Sequence, residues 1–197
     1  DTALSAVVMA VAGQLNVQVL SALRAHHVRA VGLSGVDAEL VTAHKRPPVE
    51  VVDDSGQTQK VDFGHVGDID RVDPRVIETL LASGYVPVIS CLAGDNQGNI
   101  YNINADTLAE SLAVALRAQK LIFMTSAPGV LRDRNDPSTL VTFADPDDLA
   151  SLLSSGSIAG GMRPKVEACI RAATGAVERT HIIDGGAPDS LLFEVFT

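Results

Sequence analysis

Tryptophan is absent from this chain of 197 residues, and aromatic residues make up only 4% of it. No basic stripe with interleaved aromatics occurs, and 15 basic against 24 acidic residues give a formal net charge of −9. Proteins that bind nucleic acid usually present a clustered basic surface. We therefore expect no nucleic-acid partner, although an anionic small molecule can still bind at a helix N-terminus or beside a few cations.

The sequence also lacks a recognisable secretory signal, and no apolar run approaches the roughly 20 residues of a membrane helix. Hydrophobic residues make up 46% of the chain and charged residues 20%, which is a globular composition. The length suits one large domain or two small lobes with a buried core. We expect a globular protein that does not enter a membrane.

Cysteine is scarce as well. Cys91 and Cys169 lie far apart in apolar stretches, without the paired spacing of a disulfide framework or a zinc site. The acidic groups at 68–73 and 145–148 lie at turns and helix starts, where they complement helix dipoles, and neither resembles a metal cage. We expect two buried thiols, a cytoplasmic location and no protein-built metal site.

Hydrophobic periodicity predicts an α/β fold. Apolar residues recur at helical spacing from Leu4 to Leu23, which predicts a long helix ending near His26. The other predicted helices are 74–83, 106–119, 145–154, 164–173 and 190–196, and the predicted strands are 28–33, 86–91, 121–125 and 180–184. Extended pieces at 39–44, 49–52 and 59–63, the last two joined as a β-hairpin, form a small antiparallel patch. Alternating strands and helices indicate a three-layer sandwich with a mainly parallel central sheet.

Ligands of open parallel sheets bind beyond the carboxyl ends of the strands. This rule selects the loops after Leu33, Cys91, Thr125 and Asp184. The second loop runs to Asn102-Ile-Asn-Ala-Asp106 and carries two amides and a carboxylate. Asn102 can read a carboxylate or carbonyl through its two donors, although such residues also occupy ordinary loops.

Asp106 has two interpretations that the sequence leaves open. It can cap the helix that follows, or it can take part in chemistry. Thr107 with Glu110 also fits a capping box. No Walker-type phosphate loop or dinucleotide fingerprint is present to decide the question.

Lys165 follows Gly160-Gly161 and lies in the first turn of a predicted helix, where the partial positive charge of the helix disfavours a cation. An anion would offset this cost. Glycines before it let a ligand approach the backbone, so Lys165 can neutralise a phosphoryl group in transfer. The alternative is a solvated surface lysine.

Six motifs together give a resemblance to a known family. They are Val31–Asp37 (VGLSGVD), Asp62–Gly67 (DFGHVG), Gly84–Ile89 (GYVPVI), Tyr101–Asp106 (YNINAD), Thr125–Leu131 (TSAPGVL) and Gly160–Lys165 (GGMRPK). In order and approximate spacing the chain resembles the acetylglutamate kinases of the amino-acid kinase superfamily, whose fold is carbamate kinase-like. The resemblance covers nearly all 197 residues.

The resemblance implies transfer of the γ-phosphoryl group of ATP to the side-chain carboxylate of N-acetyl-L-glutamate, in arginine biosynthesis. Lys165 and Asp106 would be catalytic, with Asp106 orienting the catalytic lysines. Asn102 and Asn104 would bind the substrate. The nucleotide pocket would be lined by Ser126, Ala127, Pro128, Gly129, Val130, Leu131, Ser157, Ile158 and Ala159. Mg²⁺ would be held mainly by the phosphates of ATP.

The resemblance also implies a homodimer or a hexamer, and it leaves inhibition by arginine open. Residues 1–100 would belong to the substrate-binding and dimerisation lobe and 101–197 to the nucleotide lobe, with the boundary near Gly94 to Ile103. The glycine-rich loops that open the family's sequence, and its terminal strand, have no counterpart here. We therefore expect the chain to be an internal part of a longer protein.

Two other functions remain open at this point. One is the related kinase that phosphorylates a carrier-linked aminoadipate in lysine synthesis. The other is a non-catalytic, arginine-sensing kinase-like domain of an acetylglutamate synthase. The presence of both Lys165 and Asp106 argues against a sensor, which has no need of a lysine that stabilises a phosphoryl group.

Overall fold

The computed structural model describes residues 2–52 and 56–196. The described residues up to Leu108 form one compact unit, and those from Ala109 form a second. The division between the units therefore falls within the helix that spans Ala105–Ala115. The assignment of one part to substrate binding and the other to nucleotide binding stays a prediction.

The helices are α1 (Thr2–Val8), α2 (Asn16–Ala25), α3 (Arg75–Ala82), α4 (Ala105–Ala115), α5 (Pro146–Ser154), α6 (Met162–Thr174) and α7 (Ser190–Phe196). The strands are β1 (Ala30–Ser34), β2 (Val41–Lys45), β3 (Val49–Val52), β4 (Thr58–Val61), β5 (Gly67–Val72), β6 (Val86–Ser90), β7 (Leu92–Gly94), β8 (Ile100–Asn102), β9 (Lys120–Thr125) and β10 (Arg179–Asp184). A π-helical segment, Met9–Leu15, joins α1 to α2. Every helix that the periodicity predicts is present.

Together α1, the π-helical segment and α2 form one continuous helix, which we call the N-terminal helix. Its 24 residues are long and apolar enough, by length and composition, to cross a membrane. The expectation that the chain has no such stretch is therefore wrong. Gln14, Asn16 and Gln18 interrupt the apolar run, yet a stretch of 18 residues still has a mean hydropathy of 1.7. The helix belongs to the first unit, because the Asn16 side chain donates a hydrogen bond to the Val88 carbonyl of β6 (3.1 Å).

In the first unit β1 pairs in parallel with β6, in a register from Ala30 opposite Val86 to Ser34 opposite Ser90. A second sheet has the order β5-β2-β7-β8 and is mainly antiparallel. The predicted hairpin of β3 and β4 is confirmed. The turn predicted for it at 53–56 lies largely outside the described residues.

The sequence did not predict β5, β7 or β8. Strand β5 reads Gly-Asp-Ile-Asp-Arg-Val, in which charged residues outnumber the apolar ones. Strands β7 and β8 are three residues long each, which is too short for a periodicity to show. The predicted strand at 39–44 begins later, at Val41, because Asp37–Glu39 forms a 3₁₀ turn.

In the second unit β9 pairs in parallel with β10 over their whole length, from Lys120 opposite Arg179 to Thr125 opposite Asp184. Helices α4 and α6 cover this pair. The core between them contains Ala113, Leu121, Phe123, Ala168, Cys169, Ala172 and Val177. The predicted burial of the Cys169 thiol is confirmed, whereas Cys91 in the first unit is only half-buried.

The predicted α/β class, with parallel strand pairs and a separate hairpin, is confirmed. Hydrogen-bonded pairing in the described residues divides the strands among several small sheets. The parallel pairs β1–β6 and β9–β10 place their carboxyl ends where the predicted ligand loops begin.

Candidate functional site

The backbone of Asn102 is held from both sides in the first unit. Its N–H donates to the His65 carbonyl (2.8 Å), and Asn102 is paired with Leu92 of β7. The N–H of the next residue, Ile103, donates to the Cys91 carbonyl (3.0 Å). The side-chain amide of Asn102 is half-buried and forms no hydrogen bond within the described part of the chain. A fixed backbone with an uncommitted amide is suited to binding a ligand.

The N-cap of α4 is Asn104. Its side-chain oxygen accepts hydrogen bonds from the N–H groups of Asp106 (3.0 Å) and Thr107 (3.1 Å). These bonds satisfy two of the backbone donors that a helix leaves open at its start. The prediction that Asp106 or Thr107 caps this helix is therefore wrong. The amide NH₂ of Asn104 makes no hydrogen bond with the described residues and stays available to a ligand.

Asp106 lies in the first turn of α4 and is half-buried. A carboxylate there is stabilised by the partial positive charge of the helix start. Because Asn104 takes the capping role, the carboxylate of Asp106 is not needed for it. The second interpretation of the sequence, a chemical role for Asp106, therefore stays a prediction.

A network around Asp95 fixes the turn before β8. The Asp95 carboxylate accepts hydrogen bonds from the Asn99 side chain (2.7 Å), the N–H groups of Gln97 and Asn99 (both 2.9 Å) and the Tyr101 hydroxyl (2.8 Å). The Asn99 amide, with these other donors, lowers the pKa of Asp95 to about 2. The hydrogen bond from its hydroxyl to the Asp95 carboxylate raises the pKa of Tyr101 above its ordinary value. The sequence analysis missed this network, for which Asp-Asn-Gln-Gly-Asn was the available turn signal.

Lys165 lies in the first turn of α6, as predicted, and is half-buried. No acidic residue occurs in that turn, and the N-cap residue, Gly161, offers no side chain. The neighbouring cation, Arg163, is paired with Glu167 one turn later (2.8 Å). The start of α6 therefore combines the positive end of a helix with the charge of Lys165.

The predicted nucleotide loop at 126–131 leaves β9 and is anchored at both ends. At its start, Thr125 accepts the Gly185 N–H through its carbonyl (2.8 Å). At its end, the Val130 carbonyl accepts the Val141 N–H (2.8 Å), and Leu131 forms a bridge with Leu140. Between these anchors Ser126 and Pro128 are exposed.

Gly129 is buried and has a φ of 142°, a conformation that a residue with a side chain rarely adopts. A Cβ there would also press on the Leu140 side chain. Glycine is therefore required to close the loop on itself.

The second predicted nucleotide segment, 157–159, meets the first loop in a shared core. Ile158, Val130 and Val166 are buried in one cluster, and Val166 follows Lys165 directly. Packing therefore brings together both predicted nucleotide segments and the start of α6. The side chain of Ile158 belongs to this core, so only its backbone could face a nucleotide. Ala159 is exposed, and the hydroxyl of half-buried Ser157 lies 2.9 Å from that of Ser155.

Across residues 2–52 and 56–196, His, Cys, Asp and Glu side chains form no group of three or more that could hold a metal ion.

Parallel strand pairs with polar and glycine-rich loops at their carboxyl ends are typical of α/β proteins that bind anionic ligands. Residues 1–184 match the amino acid kinase family. The chain belongs to that family.

Comparison with known proteins places the chain close to one branch of the family. It is 52% identical over 196 residues to the acetylglutamate kinase of Myxococcus xanthus, covering 98% of this chain. The chain spans 63% of the length of that relative. All six sequence motifs lie within the range that the family matches.

Solved structures agree on the fold. N-acetylglutamate synthase from Neisseria gonorrhoeae, solved with coenzyme A and N-acetyl-glutamate, matches with a TM-score of 0.79 and 26% identity, over 100% of this chain and 42% of that chain. Carbamate kinase from Giardia lamblia, bound to AMP-PNP, matches with a TM-score of 0.58 and 17% identity, over 88% of this chain and 66% of that chain. The predicted carbamate kinase-like fold is confirmed.

Proposed function

We propose that the protein containing this chain is a cytoplasmic acetylglutamate kinase of arginine biosynthesis. It transfers the γ-phosphoryl group of ATP to the side-chain carboxylate of N-acetyl-L-glutamate. A carboxylate oxygen attacks the γ-phosphorus, the bond to the β,γ-bridging oxygen breaks, and ADP leaves. The observation that carries the proposal is the 52% identity, over almost the whole chain, to a protein of that name.

In this proposal the loop around β8 binds acetylglutamate. Asn102 reads the substrate through an amide that has no hydrogen bond within the described residues, on a backbone fixed by His65 and Leu92. Asn104 can add its NH₂ group while its oxygen caps α4. Each donor is held by an element rather than by a free loop, which reduces the entropy that binding must overcome.

Lys165 supplies the charge that phosphoryl transfer needs. The transition state spreads negative charge over the oxygens of the moving group, and catalysis consists mainly of alignment and charge neutralisation. The start of α6 supports this role, because the positive end of the helix and the charge of Lys165 lie together there. Asp106 orients the catalytic lysines, which is the role that the resemblance implies.

The nucleotide pocket is formed by 126–131 and 157–159. Their common anchoring in the cluster of Val130, Ile158 and Val166 supports this proposal. Mg²⁺ would be held mainly by the phosphates of ATP and by water, and it would neutralise part of their charge. The two free cysteines support the cytoplasmic location.

The N-terminal helix supports the proposed oligomer. It exposes Met9 (67%), Leu15 (52%), Val17 (62%) and Val19 (46%), whereas Asn16 between them is buried. Exposed apolar side chains in such number often mark a surface that a partner covers. We propose a second copy of the chain as that partner, within a homodimer or a hexamer.

A sensor domain of an acetylglutamate synthase is less well supported. The synthase from Neisseria gonorrhoeae is 26% identical to this chain, half the identity of the Myxococcus xanthus kinase. The other alternative is a kinase for carrier-linked aminoadipate. It differs in its substrate, so an activity assay is needed to distinguish it from an acetylglutamate kinase.

The test is a hydroxamate assay with ATP, on the purified protein whose intact mass has been measured. We expect product with N-acetylglutamate and little or none with aminoadipate or glutamate. A protein with the mass of a full-length family member and no product would refute the kinase proposal and favour the sensor. The same assay with added L-arginine tests whether arginine inhibits the protein.

A further inference from the structure

A buried polar network joins the N-terminal helix to β6. Asn16 and Ser90 are 7% and 5% exposed, and they are two of the three buried polar residues in the described part of the chain. The Asn16 amide donates to the Ser90 hydroxyl (3.0 Å) and to the Val88 carbonyl (3.1 Å). Gly32 makes room for this amide, because a Cβ there would overlap the Asn16 side-chain oxygen.

The network also includes a backbone carbonyl of the π-helical segment. The Ser90 hydroxyl donates to the Val11 carbonyl (3.2 Å), and the Asn16 N–H donates to the same carbonyl across the wider π-helical turn. A π-helical segment weakens a helix, and such segments occur frequently at functional sites. Ser90 therefore stabilises an otherwise unfavourable stretch of the helix from outside.

Both β6 and the N-terminal helix, which the network joins, lead to the proposed substrate loop around β8. Ser90 is followed by Cys91, whose carbonyl accepts the Ile103 N–H (3.0 Å), and then by Leu92, the partner of Asn102. On the other side, α1 packs against β8, the strand that carries Asn102. The bonds of Ser90 and Asn16 therefore lie next to α1 and β7, which are two of the elements that contact β8.

We propose that Asn16 and Ser90 are positioning residues, which hold β8 so that Asn102 meets the substrate. The inference rests on the proposed function for its substrate, N-acetylglutamate. Packing alone does not call for these residue types, since leucine at position 16 and alanine at position 90 could fill the space without polar groups. The polar network gives the N-terminal helix and β6 one fixed relation to each other, which apolar packing specifies less strictly.

The test uses Ser90→Ala in the protein that contains this chain, with Ser90→Thr as the variant that keeps the hydroxyl. The control is Ile77→Val, which shortens a side chain that is 4% exposed in α3 of the same unit. All variants are compared by melting temperature, amide hydrogen exchange, KM for each substrate, and Kd for N-acetylglutamate without ATP.

We expect Ser90→Ala to speed exchange of the amides at 100–104 and to raise the KM and Kd for N-acetylglutamate about fivefold, the loss expected for one hydrogen bond. The KM for ATP should change less than about twofold, since the altered contact lies with the other substrate. Ser90→Thr should restore both values. Ile77→Val should lower the melting temperature without either effect.

Unchanged exchange at 100–104 in Ser90→Ala would overturn the inference. Faster exchange with an unchanged Kd would also overturn it, because the network would then serve stability alone. A wild-type protein that does not bind N-acetylglutamate would refute the proposed function and, with it, the substrate role of the network. Exchange at 100–104 would then still show whether Ser90 controls β8.

Discussion

Lys165 stands at a position that disfavours it. A cation in the first turn of a helix costs about 0.3–1 kcal/mol at an exposed site, because the start of the helix carries partial positive charge. In the proposed function, the anionic phosphoryl group that binds there during catalysis offsets this unfavourable free energy. A lysine that serves only solubility would be more favourable near the C-terminal end of a helix, where the partial charge is negative. Arg171 has such a position in the last turn of α6.

Lys165→Ala should lower kcat about a hundredfold or more, with little change in either KM, because it removes a charge contact that is strongest in the transition state. Steady-state kinetics on the full-length protein measures this. Arg163→Ala is the matched control, since it removes a cation from the same turn that is paired with Glu167. An equal fall in kcat for both variants would show that only the total positive charge of the turn matters. The specific assignment of Lys165 to the phosphoryl group would then be wrong.

Substitutions of Asn102 and of Asn104 should have different effects, one on substrate binding and the other on stability. Asn104→Ala should destabilise the protein by about 1 kcal/mol, because it removes the N-cap of α4. Asn102→Ala should change stability little and raise the KM for N-acetylglutamate. Denaturant unfolding and steady-state kinetics measure the two effects.

Asn104→Asp is the control for the cap, because aspartate keeps the acceptor oxygen. It should recover most of the stability that Asn104→Ala loses. If Asn102→Ala instead lowers stability as much as Asn104→Ala, the amide of Asn102 serves the fold and its assignment to the substrate is wrong.

Asp95 should titrate far below its ordinary pKa of 3.8, at about 2. Asn99, Gln97 and Tyr101 donate to its charged form. A lowered folded-state pKa means that the stabilising contribution is fully present above about pH 4 and is lost as the pH falls through 2. The carboxyl ¹³C shift of Asp95, followed by NMR from pH 6 downward, measures the midpoint. A midpoint near 3.8 would contradict the network.

At the scale of the elements, the N-terminal helix has two faces with different tasks. Its inner face carries Asn16, which is tied to β6. Its solvent-exposed side exposes apolar side chains among polar ones, and Met9 (67%) and Val17 (62%) are exposed more than Leu15 (52%). An uncovered apolar face is unfavourable in water, so a second helix packed against it would stabilise the protein.

Val17→Glu should therefore weaken the proposed dimer, because a buried unpaired carboxylate is costly. Light scattering during gel filtration, across a range of concentrations, measures the mass in solution. Leu81→Glu is the matched control, since Leu81 is exposed (51%) on α3 and lies outside the N-terminal helix. If the wild type is a monomer at all concentrations, or if both variants stay fully associated, this face is not the interface.

Some elements could be predicted from local sequence patterns, and others could not. Sequence periodicity predicted α5, α6 and β9 within a few residues, because apolar residues recur in each at the spacing of a helix or a strand. Strands β7 and β8 were missed, and they carry the pairing that fixes Asn102. Three residues contain no periodicity, so only the pairing partner makes such a segment a strand.

At the scale of the whole molecule, two compact units divide the proposed work. The proposed substrate loop and the network of Asn16 and Ser90 belong to the first unit, and the proposed nucleotide loops with Lys165 belong to the second. The net charge of −9 is unfavourable for an anionic nucleotide at long range. Local donors and the bound metal must therefore compensate for it.

Activity should depend on Mg²⁺ through the nucleotide. With ATP fixed, the rate should rise with Mg²⁺ until the metal matches ATP, and EDTA should abolish it reversibly. Isothermal titration of the protein with Mg²⁺ alone should show no tight site. Tight binding of Mg²⁺ without nucleotide would contradict the proposal that ATP supplies most of the ligands.

The sequence by itself determined the class of the fold, the family and the positions of Lys165 and Asp106, because hydrophobic periodicity and motifs are local properties of the chain. Only the tertiary structure decided that Asn104 caps α4, that Ile158 is a core residue, and that Ser90 holds a π-helical carbonyl. Capping depends on where a helix begins, and burial and side-chain hydrogen bonds depend on what another segment brings near. Residues far apart in sequence, such as Val11 and Ser90, become neighbours only through folding.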